Sequence, residues 1–218
     1  LKALRDRYAD LIRARYPKIP RRVSGYNLDD LLPERGFHVA RALGGSEGTC
    51  VTILEAQLHL VPSPPMRSLL VLGYPDVFEA ASHVVEILEA GPIGLEGLDD
   101  VLVKDMRTKG IHPKDVDLLP PGGGWLLVEF GGASKDESDD KAHALMARLK
   151  KLGDAPSMKL FDDEAEEEHL WKVRESGLGA TARIPGRPDA WEGWEDSAVD
   201  PSRLSDYLHD LRDLLEKY

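Results

Sequence analysis

An α+β fold, a four-stranded antiparallel sheet with helices on one face, is predicted by three features of the sequence. Four short apolar runs lie between residues 67 and 162 and alternate with segments of helical period. Each helical segment carries start and stop signals of its own. A proline cluster, Pro62, Pro64 and Pro65 around Ser63, separates all of this from the preceding sequence and reads as a rigid extended linker between 1–61 and 62–218.

Before the linker, Leu4, Tyr8, Leu11 and Ile12 recur at helical spacing, so residues 1–16 form an amphipathic helix stopped by Pro17 and Pro20. Asn27 to Leu32 suggests a short helical turn. Val51 to Leu54, running into Gln57 to Leu60, has the β-branched enrichment and partial alternation of a strand. After the linker, Ser68 to Tyr74 is a continuous apolar strand. Asp76 caps a helix over 76–90, with Val77, Ala81, Val84, Val85 and Leu88 on one face and Gly91-Pro92 as its stop. Ile93 to Leu98 is a second strand, followed by a helix over 99–109 and a Pro/Gly-rich loop over 113–124. Trp125 to Phe130 is a third strand. Ala142, Leu145, Met146 and Leu149 mark a helix over 139–152, and Met158 to Phe161 the fourth strand. Strand-helix-strand taken twice is the split βαβ arrangement of a ferredoxin-like fold. From Asp162 to Glu175 the chain is helical and acidic, and it is then irregular through Gly186. Asp200 and Pro201 open a C-terminal helix with Leu204, Tyr207, Leu208, Leu211, Leu214 and Leu215 on one face.

Composition bounds the function. The 218 residues are 42% hydrophobic and carry 28 Lys+Arg against 39 Asp+Glu, a net charge of −11. That sign repels nucleic acid and anionic membranes, which favours small-molecule or protein partners. Within residues 1–41, ten basic side chains face five acidic ones, so this stretch is +5 and the rest −16. Such asymmetry marks two folding units, an anion-facing surface or a solvated basic helix. A single cysteine, Cys50, permits no internal disulfide, as in a reducing cytoplasm. No signal-peptide block opens the chain. It starts without Met and ends within a helical pattern, and so reads as an internal section of something longer. The seven histidines show no metal-binding spacing, and Pro120 to Gly124 lacks the Lys-Ser/Thr of a phosphate loop and reads as a turn.

The segment Gly44-Gly45-Ser46-Glu47-Gly48-Thr49 admits two readings: a tight turn, or a nest of backbone N–H groups for a pyrophosphate. In its wider order, from Ser24-Gly25-Tyr26-Asn27-Leu28 through Arg41 and this segment to Glu55-Ala56-Gln57-Leu58, it resembles the end of the flavin-binding domain of FAD-linked oxidases. This is the glycolate oxidase and D-lactate dehydrogenase branch of the vanillyl-alcohol oxidase superfamily. Cys50 and Val51 stand where Leu and Gly are usual in that family. The resemblance continues in the ferredoxin-like cap domain, in Leu170-Trp171-Lys172-Val173-Arg174-Glu175 and in Trp194-Glu195-Asp196, and it covers most of residues 21–218.

The resemblance implies FAD as cofactor, with Gly45, Ser46, Glu47, Gly48 and Thr49 at one edge of its site. It implies a 2-hydroxyacid substrate of the D-lactate, glycolate or D-2-hydroxyglutarate type, its carboxylate held by Arg174. A lysine that assists in some members falls near Trp194, which supplies no charge, and Arg183 and Arg187 lie nearby. No catalytic base and no metal ligand are expected in this section. The chain alone is expected to be colourless and inactive. Relatives fused to an iron-sulfur region make a 4Fe-4S cluster and peripheral membrane association expectations for the whole protein. Its electron acceptor and oligomeric state stay open. On the residues alone, Arg174 also reads as a cation closing a helix C-terminus. The chain also reads as a non-catalytic ferredoxin-like module for a small effector or a protein partner.

Overall fold

The computed structural model describes residues 1–20, 22–23, 25–161, 163–189 and 197–218. The chain divides into two compact units, Leu1–Val61 with Glu195–Asp200, and Pro62–Trp194 with Pro201–Tyr218.

The first unit holds helix α1 (Lys2–Arg15), 3-10 turns at Leu28–Leu31 and Pro33–Arg35, and the short helix α2 (Val39–Leu43). Tyr16 is extended at φ −68°, ψ 127°, as a residue before proline must be, and this ends α1. Ile12, Leu31, Leu32 and Ala42 are its buried apolar side chains. The strand expected over 51–60 does not form. Those residues have no regular structure, and Ile53, Leu54, Leu58 and Leu60 are 66–94% exposed. A strand needs a hydrogen-bonded neighbour, and no other strand is present among the described residues of this unit.

The second unit is built on β1 (Met66–Tyr74), β2 (Gly94–Asp99), β3 (Gly124–Gly132) and β4 (Ser157–Phe161). They form one sheet in the order β2-β3-β1-β4, antiparallel throughout, with Leu70 opposite Val128 on one side and Leu160 on the other. This is the predicted sheet. Leu70, Leu72, Tyr74, Leu126, Val128 and Phe130 point to one face. That face is covered by α3 (Val77–Ser82), α4 (Val84–Leu88) and, later in the chain, the long helix Lys135–Leu149. The expected helices over 76–90 and 139–152 thus pack on the same face.

The opposite face is covered as well. Leu69, Val71, Leu98, Trp125 and Leu127 pack there against α5 (Asp100–Lys109), α6 (Pro113–Val116) and two later helices. With Lys135–Leu149 as α7, these are α8 (Glu164–Glu175) and α9 (Gly177–Thr181). Burial on both faces explains why β1 and β3 read as continuous apolar runs rather than alternating ones.

Local chemistry sets the boundaries. Asp76 accepts from the N–H groups of Phe78 and Glu79 at 2.9 and 2.8 Å. The helix expected over 76–90 breaks at His83, whose ring stacks on Tyr74 and lies 3.3 Å from both Glu79 and Glu86. In the turn before β3, a Cβ on Gly123 or Gly124 would meet the backbone of Pro75 or Asp76, so close chain passage accounts for these glycines. Pro201–Arg203 forms a 3-10 turn, and helix α10 (Leu204–Lys217) begins after it and packs on α3, with His209 stacked on Phe78 at 4.0 Å. Among the described residues no helix is long and apolar enough to cross a membrane.

Candidate functional site

Two sites predicted from sequence fall one in each unit. In the first, Gly45 to Thr49 form a single loop after α2. Gly45, Glu47 and Gly48 have φ of 76°, 49° and 73°. The N–H groups of Ser46 and Thr49 turn inward, to the carbonyls of Leu43 and Ser46. Those of Gly45, Glu47 and Gly48 have no protein acceptor among the described residues. Successive backbone N–H groups left free in such a turn make a concavity that suits anionic oxygens. Glu47, as a non-glycine at positive φ, holds a conformation costing about 1–2 kcal/mol, which the surrounding contacts must offset.

Those contacts come from residues 22–29. Asn27 donates from Nδ2 to the Gly44 carbonyl at 2.9 Å, and Arg22 reaches both Asn27 and Asp29, at 3.1 and 2.6 Å. Thr49 donates to the Ser46 carbonyl at 2.6 Å, which leaves its hydroxyl to accept from the Tyr26 phenol at 2.8 Å. Ser46 is buried and locks the loop, whereas Gly45, Glu47, Gly48 and Thr49 are exposed. The structure therefore joins two segments that the sequence offered separately, Tyr26-Asn27 and Gly44 to Thr49. The latter fits the edge of a pyrophosphate site by its outward N–H groups.

In the second unit, Arg174 sits in the last turn of α8. Its neighbours Leu170 and Val173 are fully buried against the sheet, so the helix cannot roll. The guanidinium, 45% exposed, donates from Nε and lies by Nη2 at 3.1 Å from the same oxygen, Glu96 Oε2 on β2. The partner was not foreseen. A lone acid in the apolar run Ile93 to Leu98 was the signal, but only the fold brings residue 96 to residue 174. Of the two nearby arginines, Arg187 lies 3.0 Å from Oδ1 of buried Asp105, as an ion pair rather than an aligned hydrogen bond. Arg183 is exposed, at φ 50°. Trp194, near which the lysine of some family members is expected to fall, lies outside the described residues.

A polar strip extends from this face of the sheet. Arg67 pairs with buried Glu129 at 2.7 Å. Lys135 donates to the Arg67 carbonyl and the Ser68 hydroxyl at 2.8 and 3.0 Å and lies 3.5 Å from Glu167. Burial pushes the Glu167 carboxyl above its ordinary value; Lys135 opposes the shift, and the charge of Glu129 adds a smaller push upward. Among the described residues no group of three His, Cys, Asp or Glu side chains could hold a metal.

Known proteins resemble this chain in sequence. The family model for FAD linked oxidases, C-terminal domain, matches residues 63–218. A D-2-hydroxyglutarate dehydrogenase of Pantoea ananatis is 28% identical over 97% of this chain and 22% of its own length. The glycolate oxidase subunit GlcD of Bacillus subtilis is 30% identical over 84% of the chain and 37% of its own. A probable mitochondrial D-lactate dehydrogenase of Danio rerio is 29% identical over 69% and 29%. The chain spans only about a fifth of the length of the D-2-hydroxyglutarate dehydrogenases it matches. The family model covers residues 63–218, more than half of the chain, so the chain belongs to the FAD-linked oxidase family and carries its C-terminal domain.

Proposed function

We propose that this chain is the section of an FAD-dependent 2-hydroxyacid dehydrogenase that supplies one edge of the flavin site and one wall of the substrate pocket. The observation that carries the reading is Arg174, an exposed guanidinium at the end of a helix anchored by buried Leu170 and Val173, in a domain of this family. A planar guanidinium meets a carboxylate through two parallel hydrogen bonds, so Arg174 holds and orients the carboxylate of the 2-hydroxyacid. Gly45, Glu47 and Gly48 offer N–H groups to the pyrophosphate of FAD, while Ser46 and Thr49 keep the loop in shape. Bound FAD supplies the acceptor for the hydride that leaves the carbinol carbon.

Substrate choice among D-2-hydroxyglutarate, glycolate and D-lactate follows from what meets the rest of the molecule. Arg183, exposed and with no side-chain partner among the described residues, is a cation available for a second carboxylate, whereas Arg187 is taken by Asp105. The alignment to the D-2-hydroxyglutarate dehydrogenase is longer than that to GlcD and yet a smaller share of it, 22% against 37%. The former relatives are thus the larger proteins, with room for the iron-sulfur region expected in the whole protein. A cytoplasmic location belongs to the same reading, on the strength of one free, exposed cysteine.

The test is flavin reduction by a panel of D-2-hydroxyacids in the full-length flavoprotein. Arg174→Ala removes a charge-assisted pair of about 2–5 kcal/mol, a fall in kcat/KM of about 30-fold to several thousand-fold. Arg174→Lys keeps the charge but not the fork and should be nearly as impaired, with FAD content unchanged. Full activity with lowered thermal stability in Arg174→Ala would make the residue a helix-end cation and end the assignment.

A further inference from the structure

Arg174 has two edges on which to receive a carboxylate. The side edge presents Nε and Nη2, and the end edge presents Nη1 and Nη2. In this structure the side edge is filled: Nε and Nη2 both lie 3.1 Å from Glu96 Oε2, and Nη1 has no partner among the described residues. We propose that Glu96 is a positioning residue for substrate binding, turning the end edge of Arg174 outward to take the substrate carboxylate. This rests on the reading of Arg174 as the clamp, and it assigns to Glu96 a role separate from that reading.

Both partners are carried on elements that cannot drift. Glu96 lies in β2, opposite Leu127 of the fully buried strand β3, and two residues before Leu98 on the same face. Leu98 packs with Leu170 and Val173 of α8, the turn that carries Arg174. Packing between α8 and the sheet therefore fixes the distance between acid and base before any substrate arrives. A free arginine side chain samples many rotamers, and freezing one of them on binding costs affinity. A carboxylate that already holds the side edge removes that cost. It also leaves Nη1 its two protons and Nη2 its second proton for the incoming carboxylate. The bland alternative is that Glu96 is a charge placed on an edge strand to prevent strand pairing, with an exposed ion pair of little consequence.

Steady-state kinetics of the full-length flavoprotein, with thermal unfolding and FAD content measured beside them, separate these. Glu96→Ala should raise KM for the 2-hydroxyacid about tenfold with kcat within about twofold, because orientation lost equally in ground and transition states appears in KM. Unfolding temperature and FAD content should not move. Glu96→Gln keeps an acceptor of the same shape and should hold KM within about threefold of wild type. In an Arg174→Ala background, Glu96→Ala should add nothing further.

An unchanged or lowered KM in Glu96→Ala, with Arg174→Ala still impaired, overturns the positioning role and leaves the clamp standing. An equal KM effect of Glu96→Ala in the Arg174→Ala background overturns it too, since Glu96 would then act by another route. A Glu96→Ala protein that loses stability, while Glu96→Gln shows the same KM defect without loss of stability, also speaks against positioning through a shared acceptor. Full activity of Arg174→Ala removes the clamp and the positioning role together.

Discussion

The two units of this chain treat their apolar residues in opposite ways. In the second, β1 and β3 are buried along almost every residue, and the sheet has helices on both faces. In the first, four apolar side chains are buried among the described residues, while Ile53, Leu54, Leu58, Leu60 and Val61 stand 66–94% exposed. The difference is one of partners. The apolar runs of β1 and β3 find their complement in the helices packed on the two faces of the sheet, so local pattern and tertiary packing agree there. Residues 51–61 have the composition of a strand and nothing among the described residues of their unit to pair with. A pattern of residues states what a segment can bury, and only a neighbour decides whether it does.

The largest expected effect tests this contrast directly. Leu127→Ala, at a side chain with no exposure in the middle of β3, should lower the stability of the second unit by about 2–5 kcal/mol. Leu58→Ala, 77% exposed, should stay within about 0.5 kcal/mol. Chemical unfolding followed by hydrogen exchange, at the amides of 124–132 for Leu127→Ala and of 28–43 for Leu58→Ala, gives both numbers. A Leu58→Ala cost equal to that of Leu127→Ala would mean that residues 51–61 are packed in solution.

Glycines sharpen it next. Gly124→Ala places a Cβ on the backbone of Asp76 and Val77, where neither can yield, and should cost about 3 kcal/mol, the upper end of ordinary overpacking. Gly48→Ala meets open space, so its cost is the left-handed φ of 73° alone, about 1 kcal/mol. Equal losses at both sites, measured by thermal unfolding, would show that steric approach does not govern the turn before β3.

The same contrast explains what was legible in the sequence. The helix expected to run to Gly91 ends at Leu88, but the helix start at Asp76, the four strands after the linker and the C-terminal helix are written in local chemistry, and they are found. The break at His83 is not, because it depends on the Tyr74 ring and on Glu86 as well as on the helix itself. The loop from Gly45 to Thr49 was visible through its glycines, yet its tie to Tyr26 and Asn27 needs the fold. Arg174 was singled out by resemblance. Glu96, 78 positions away in sequence, was not, since a single acid in a strand has no period to betray it.

Two carboxylates carry the comparison into pH dependence, with the smallest expected effect. In the first unit Glu34 takes both Nε and Nη2 of Arg13, at 2.7 and 3.1 Å, and that hydrogen bonding draws its carboxyl down to about 2. A depressed value means that the folded state binds fewer protons, so this stabilisation is full above the ordinary value of 4.5 and is lost as pH falls towards about 2. In the second unit Glu167 is shifted the other way by burial. Its folded state binds more protons than its unfolded state, so its contribution to stability declines as pH rises above the ordinary 4.5. The two windows lie on opposite sides of that value and can be separated in one titration. Thermal unfolding of wild type and Glu167→Gln from pH 2 to 8 should show the variant losing less stability on the rise above 4.5, since a glutamine has no proton to release. If instead Glu167→Gln is weakened more at pH 7 than at pH 4.5, attraction to Lys135 at 3.5 Å outweighs desolvation, and the buried carboxylate is a net support of the α7–α8 contact.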